Sequence, residues 1–441
     1  MTSFYLAGPL FTDLYEMTMA AGYWAHGVQD RATFSVFVRN PDHKRNYFVA
    51  AGLETILREL DAYRFRSADI DYLQSLALFD PLFLESLRRL KFTGDVYALP
   101  EGTPFFPEEP VLEITAPIIE AQLIETLVLN TIGVATLIAT KASRCMHAAE
   151  GRPLVDFALR RTHGQDAGHQ VARSTYMAGF SATSNVQAGQ RYGIPVSGTM
   201  AHAFVTAFDS ELDAFRAYAA TFPHNTIFLI DTYNTRAGAR QAATVALEMQ
   251  ARGYTALGVR LDSGDMIKLS RDVRRILDEA GLPSMKIYAS SSLDEAKIAA
   301  ILRAGAPIDA FGIGTRVGVS ADAPYLDIVY KLVRLGNRNI RKLSPGKVTL
   351  AGEKQIFRRL DTDGIYHEDI IACRDETIAD AEPLLEPVMI NGKKVKPTVS
   401  LGDIRTNFAK NFVRLDPRYK TIQRYEAFPV HISANLKALQ K

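Results

Sequence analysis

TIFLIDTYNT (226–235), GVRLDSGD (258–265), KIYASSS (286–292) and DAFGIGTR (309–316) are the segments whose reading decides the fold. In each, a short run of β-branched, aliphatic or aromatic residues breaks off into a polar motif, the pattern of a buried strand that ends in a loop. Ile230, Val259, Tyr288 and Ile313 stand 29, 29 and 25 residues apart, one strand-helix unit each. The segments between them have helical composition and stop at Gly253, Gly281 and Gly305, the residue type that most readily ends a helix in the left-handed conformation. Strands alternating with helices build a parallel sheet. The polar motifs then gather at its carboxyl edge, where an α/β barrel keeps its chemistry.

Working outward, 154–159 and 194–197 upstream and 328–332 downstream have the same strand composition. The count predicts an irregular TIM-like α/β barrel over residues 129–335. Periodicity alone does not close a sheet, so a doubly wound open sheet is the alternative. Residues 1–128 read as mixed structure, with strands over 33–39, 47–49 and 111–114, helices over 52–63 and 69–78, and then one long helix or two abutting ones over 118–149. After 336, strands are expected at 346–349 and 354–360, the second returning through Asp361-Thr362-Asp363-Gly364 to Tyr366. Residues 1–128 and 336–441 are expected to form a second, α+β domain built from both chain ends.

Fifty-one basic and 49 acidic residues leave a net charge of +2 with no long run of either sign, so neither a nucleic-acid stripe nor a charged tail is expected. Cys145 and Cys373 are too few and too far apart for a disulfide framework or a cysteine zinc site, and a reducing cytoplasm suits them. The first residues lack the order of a secretory leader. Residues 126–140 are 15 uncharged residues, short of the roughly 20 that cross a bilayer, and read as a buried helix.

The chemistry-bearing residues sit behind the strands. Gly312-x-Gly314-Thr315-Arg316 offers bare amides, a hydroxyl and a guanidinium to a phosphate, or makes only a tight turn. Arg260, Asp262 and Asp265, with Asp231 one strand earlier, can hold sugar hydroxyls or the waters of a phosphate-bound magnesium ion; Asp231 and Asp265 could instead cap the following helices. Arg160-Arg161 ends the 154–159 strand, where alternation would aim one arginine into the barrel mouth for a small anion, unless both serve salt bridges. His202 lies level with these motifs, and Ser184 either caps a helix or presents its hydroxyl to a ligand.

Taken together, TDLYEMTMA (12–20), YFVAAGLE (47–54), FALRR (157–161), FSATSNVQAG (180–189), GTMAHAF (198–204), LIDTYNT (229–235), GVRLDSGD (258–265), ASSSLDE (289–295), FGIGTR (311–316) and KQIFRR (354–359) resemble the nicotinate phosphoribosyltransferases. The resemblance implies an irregular α/β barrel with a second domain from both chain ends. It implies a head-to-tail homodimer in which Tyr15 reaches the neighbouring subunit's nicotinate site, and Mg2+ and ATP as cofactor and co-substrate. By the same resemblance Arg161, with Arg160 beside it, holds the nicotinate carboxylate. Gly312, Gly314 and Thr315 hold the 5-phosphate, Asp231 and Asp262 approach the ribose and pyrophosphate, and His202 matches the histidine that ATP phosphorylates. A cysteine-rich metal knuckle found in some relatives is not expected. Nicotinamide phosphoribosyltransferases resemble this chain too, but carry an aspartate where Ser184 stands. Quinolinate phosphoribosyltransferases and a non-catalytic phosphate-ligand sensor are the more distant alternatives.

Overall fold

The structure is a computed structural model that describes residues 7–39, 42, 44–344 and 349–441. The chain forms two compact units, Met1–Thr140 with Tyr325–Lys441, and Lys141–Pro324.

The second unit is the strand-helix alternation read from sequence. Its six strands, Leu154–Asp156, Ala182–Thr183, Ile227–Leu229, Gly258–Leu261, Lys286–Ala289 and Ala310–Ile313, are all parallel. In space the order is 182–183, 154–156, 310–313, 286–289, 258–261, 227–229. Apolar residues fill the strands because helices cover a parallel sheet. Phe228, Leu229, Val259, Leu261, Ile287, Ala289, Phe311 and Ile313 are fully buried. The helices Thr235–Gln250, Met266–Glu279 and Glu295–Arg303 are capped by Asn234, Asp265 and Asp294, whose side chains accept amide hydrogen bonds from the first turn. They end before Gly253, Gly281 and Gly305, which all have positive φ, as the sequence pattern required.

Two strands depart from expectation. The 194–197 segment contributes a single parallel bridge, Val196 to Thr183. The expected barrel strand at 328–332 is Asp327–Leu335, and it pairs antiparallel with Arg31–Arg39 in the first unit. Composition identifies a strand but not its partner, so a strand just past the last helix of the series was counted with it. Among the described residues no ladder joins 227–229 to the 194–200 segment. The sheet closes there through side chains, which makes the barrel irregular.

The first unit holds a seven-stranded antiparallel sheet, in the order 338–339, 327–335, 31–39, 110–117, 95–98, 386–390, 393–394, so residues from both chain ends share it. Met17, Ile56, Leu60, Phe83, Leu112, Ile114, Leu127 and Tyr330 belong to one buried cluster against this sheet. The hairpin Lys354–Leu360 with Tyr366–Cys373 forms as read, in a four-stranded sheet with 382–383 and 430–432. The expected strand at 346–349 falls largely outside the described residues. The 118–149 segment is two helices, Ile118–Gln122 and Glu125–Ala148. The second is long and apolar enough to cross a membrane, and 72% of its apolar window is buried inside the protein.

Gly258 shows how tight the barrel is: a Cβ there would lie 2.2 Å from the Lys286 carbonyl oxygen on the next strand. Gly258→Ala is expected to cost about 3 kcal/mol by forcing two strands apart. Gly253→Ala, at a positive φ with open space around it, should cost about 1 kcal/mol. Urea unfolding of the two variants checks this, and equal midpoints would show that the strand contact is not limiting.

Candidate active site

In a parallel sheet every strand delivers its next residues to the same edge, so the polar motifs converge without long loops. Asp231 follows the 227–229 strand, and its Oδ2 accepts the Asp262 amide at 2.9 Å and the Ser263 hydroxyl at 2.6 Å. Asp262 follows the next strand, and its Oδ1 accepts the Ser290 hydroxyl at 2.5 Å from the strand after that. Three successive strand ends are thereby linked by carboxylates. The Asp231 Oδ1 atom is buried and has no hydrogen-bond partner. Ser291 and Ser292, directly beyond, have φ of 97° and 47°, positions where a non-glycine backbone is strained.

His202 opens the helix His202–Thr206. Its Nδ1 lies 3.1 Å from the Thr232 hydroxyl and its Nε2 3.8 Å from Asp262 Oδ2. Arg260 points across the mouth, donating to the Thr199 hydroxyl and, at 3.0 Å, to the Met200 carbonyl, while its guanidinium lies 6.0 Å from the centroid of the Phe157 ring. Burial lowers its pKa, Asp262 and Asp231 oppose that, and the neighbouring charge of Arg160 adds to the lowering. Arg260 thereby fastens the loop that carries His202 across the gap in the ladder.

The strand before Arg160 and Arg161 ends at Asp156, and both arginines sit in the 3-10 turn Leu159–Arg161. Strand alternation therefore does not govern them. Both are exposed, and among the described residues neither pairs with a carboxylate, which removes the salt-bridge alternative. Ser184 is half-buried and does not cap the Val186–Tyr192 helix, because Asn185 does. Asp265 does cap its helix, accepting from Ile267 and Lys268 through Oδ1. Asp231 is not a cap, since Asn234 takes that position.

Gly312 lies inside its strand, in register with Val155, and a Cβ on it would come within 2.4 Å of the Phe157 ring. The glycine there makes room for the Phe157 ring. Gly314 and exposed Thr315 begin the short turn beyond, and a Cβ on Gly314 would lie 3.2 Å from the Phe157 carbonyl. Arg316 pairs with Asp294 at 3.0 Å. Tyr15 belongs to the other unit, on the helix Leu14–Ala25, where it is half exposed; burial and the Glu125 carboxylate push its phenol pKa up.

Sequence reasoning missed Glu211. It follows the cap Ser210 and reads as an ordinary first-turn acid, yet it is buried with an unpartnered Oε1, and burial together with the Asp231 charge raises its pKa to about 7. Only the fold reveals that it faces another carboxylate.

Linked carboxylates, a histidine and two exposed arginines thus follow the strand ends of an irregular α/β barrel. Family models for the nicotinate phosphoribosyltransferase N-terminal domain, the nicotinate phosphoribosyltransferase family and its C-terminal domain match residues 10–133, 153–343 and 377–440. A Mycobacterium tuberculosis nicotinate phosphoribosyltransferase is 45% identical over 97% of this chain and 92% of its own length. One from Bacillus subtilis is 39% identical over 96% and 92%. The crystal structure of human nicotinic acid phosphoribosyltransferase superposes with a TM-score of 0.88 at 32% identity, covering 97% of this chain and 99% of that one. This chain belongs to the nicotinate phosphoribosyltransferase family.

Because Glu211 holds its proton more tightly in the folded protein than in the unfolded chain, its contribution to stability is full below about pH 4.5 and is lost as pH rises through about 7. Glu211→Gln should flatten that decline, with stability rising relative to wild type at about pH 8 by on the order of 1 kcal/mol after solvent screening. Thermal unfolding across that range checks it; parallel curves for the two proteins would show that Glu211 does not titrate there.

Proposed function

We propose that this chain is a cytoplasmic enzyme that joins nicotinate to phosphoribosyl pyrophosphate, giving nicotinate mononucleotide and pyrophosphate, coupled to ATP through phosphorylation of His202. The observation that carries the reading is the division of one barrel mouth into an anionic side, Asp231 and Asp262 beside His202, and a side with two exposed, unpaired guanidiniums, Arg160 and Arg161. Family membership supports the substrates.

In this reading Arg161, with Arg160, takes the nicotinate carboxylate in a charge-assisted fork and turns the ring nitrogen toward ribose C1. The nitrogen attacks as pyrophosphate leaves, through an oxocarbenium-like state. The transition state needs orientation and nearby negative charge rather than a protein nucleophile, and Asp231 and Asp262 supply that charge. Gly314 and Thr315 begin a turn suited to the 5-phosphate, with Gly312 giving Phe157 its place behind them. Asp265, one oxygen engaged in its cap, has a second oxygen for the ribose or pyrophosphate side, while Ser184 faces the base. Among the described residues no three metal-ligating side chains cluster. The free Asp231 Oδ1 fits a magnesium ion that keeps its waters and is held mainly by substrate phosphates, where it would offset pyrophosphate charge.

Offering nicotinate, nicotinamide and quinolinate with phosphoribosyl pyrophosphate, with and without ATP, tests the proposal. Turnover of nicotinate, stimulated by ATP, is expected; preference for either other base, or binding without turnover, would overturn it. With γ-labelled ATP, wild type should carry an acid-labile phosphate that His202→Ala lacks, while the variant keeps slow ATP-independent transfer. Undiminished labelling of H202A would remove the phosphohistidine.

The assembly is proposed to be a head-to-tail homodimer in which Tyr15 serves the other subunit's site. Tyr15→Ala and Arg161→Ala should each lower activity by about a hundredfold or more. Exchanging subunits between them should restore activity in the hybrid site that lacks both defects. Inactive verified heterodimers would place both residues in one subunit's site.

A further inference from the structure

Asp156 is 1% exposed at the end of a three-residue strand, yet among the described residues it has no cationic partner. Burial pushes its carboxyl pKa up, and only hydrogen bonds from the Ala158 amide and the Thr183 hydroxyl oppose that. A lone buried carboxylate is costly, so what it holds is informative. Its Oδ1 accepts the Ala158 amide at 2.8 Å, and the Ala158 carbonyl in turn accepts the Arg161 amide at 2.8 Å. Its Oδ2 accepts the Thr183 hydroxyl at 2.7 Å, and that hydroxyl oxygen accepts the Asn185 amide at 3.0 Å. Its main-chain carbonyl accepts the Ser184 amide at 2.8 Å. One residue thus grips the base of the arginine turn with one oxygen and the Ser184 loop with the other.

The ladder cannot do this alone. The 154–156 strand meets the two-residue strand 182–183 through just two paired positions, Val155 with Ala182 and Asp156 with Thr183. Arg161 and Ser184, which the proposed function assigns to the carboxylate and the ring of the acceptor base, are joined through Asp156, whose carbonyl holds the Ser184 amide while its side chain adds the Ala158 and Thr183 bonds.

We propose that Asp156 and Thr183 form a positioning clasp for the acceptor base: neither touches substrate, and together they fix the distance between Arg161 and Ser184. The inference rests on the nicotinate reading of the site. The clasp should therefore govern affinity for the base and leave phosphoribosyl pyrophosphate, bound from the other strand ends, unaffected.

Thr183→Val keeps the shape of a fully buried side chain and deletes only the hydroxyl. It should raise the KM for nicotinate on the order of tenfold, the effect of losing a hydrogen bond to a charged acceptor, with the KM for phosphoribosyl pyrophosphate unchanged. Thr183→Ser should restore nicotinate use. Hydrogen exchange read by mass spectrometry supplies a second measurement that needs no activity: amides of 157–162 and 184–185 should exchange faster in T183V, while 258–261 should not. Equal shifts in both KM values, no shift, or unchanged exchange at 157–162 would overturn the clasp. Wild type that fails to use nicotinate would instead overturn the functional reading, with hydrogen exchange still deciding the clasp. Should T183V not fold, Thr183→Ala carries the same expectation, since it too removes the hydroxyl that donates to Asp156.

Discussion

A parallel sheet whose ladder stops at both edges depends on side chains to bring its last strand ends together, and Arg260 does this here. Its guanidinium crosses from the 258–261 strand to Thr199 and Met200, on the far side of the gap. That bond carries the loop leading to His202 toward Thr232 and Asp262. Such an arginine is a costly fastener, because burial works against its charge. Asp231 and Asp262 offset the cost, and in the proposed reaction the same two carboxylates would meet the developing positive charge. Closure of the barrel and the electrostatics of its mouth are therefore one arrangement.

The other half of the mouth is built on the opposite principle. Among the described residues no salt bridge restrains the turn that carries Arg160 and Arg161, so their order comes from the backbone beneath them, held by Asp156. Charges left unpaired in the unliganded protein keep their full attraction for an incoming anion. Carboxylates locked into amides and hydroxyls, as Asp231 and Asp262 are, need little rearrangement when charge develops nearby.

Much of this was legible in the sequence because a strand that ends at a catalytic edge leaves an abrupt sign: apolar residues, then a polar motif, then a helix closed by glycine. The strands at 286–289 and 310–313 were read to the residue. What misled was partner choice, since 328–332 has barrel-strand composition but its partner, 31–39, lies about three hundred positions away. The sequence names candidate residues for the site but not their neighbours. Phe157 packs where a Cβ on Gly312 would lie, Arg260 is held by Thr199 and Met200, and Glu211 has no sequence signal at all because its burial is wholly tertiary. Asp265 and Ser184 are ambiguous in the sequence because a cap and a ligand call for the same short polar side chain, and the structure gives the caps to Asp265 and to Asn185.

The division of the mouth into an anion-binding side and an anionic side is the central claim, and a crystal structure with nicotinate mononucleotide bound tests it most directly. The pyridine carboxylate should lie in hydrogen-bonding contact with Arg161 or Arg160 and beside Ser184. The phosphate should sit at Gly314 and Thr315, with ribose C1 facing Asp231 and Asp262. A carboxylate bound away from both arginines, or a product oriented with its phosphate on them, would contradict it.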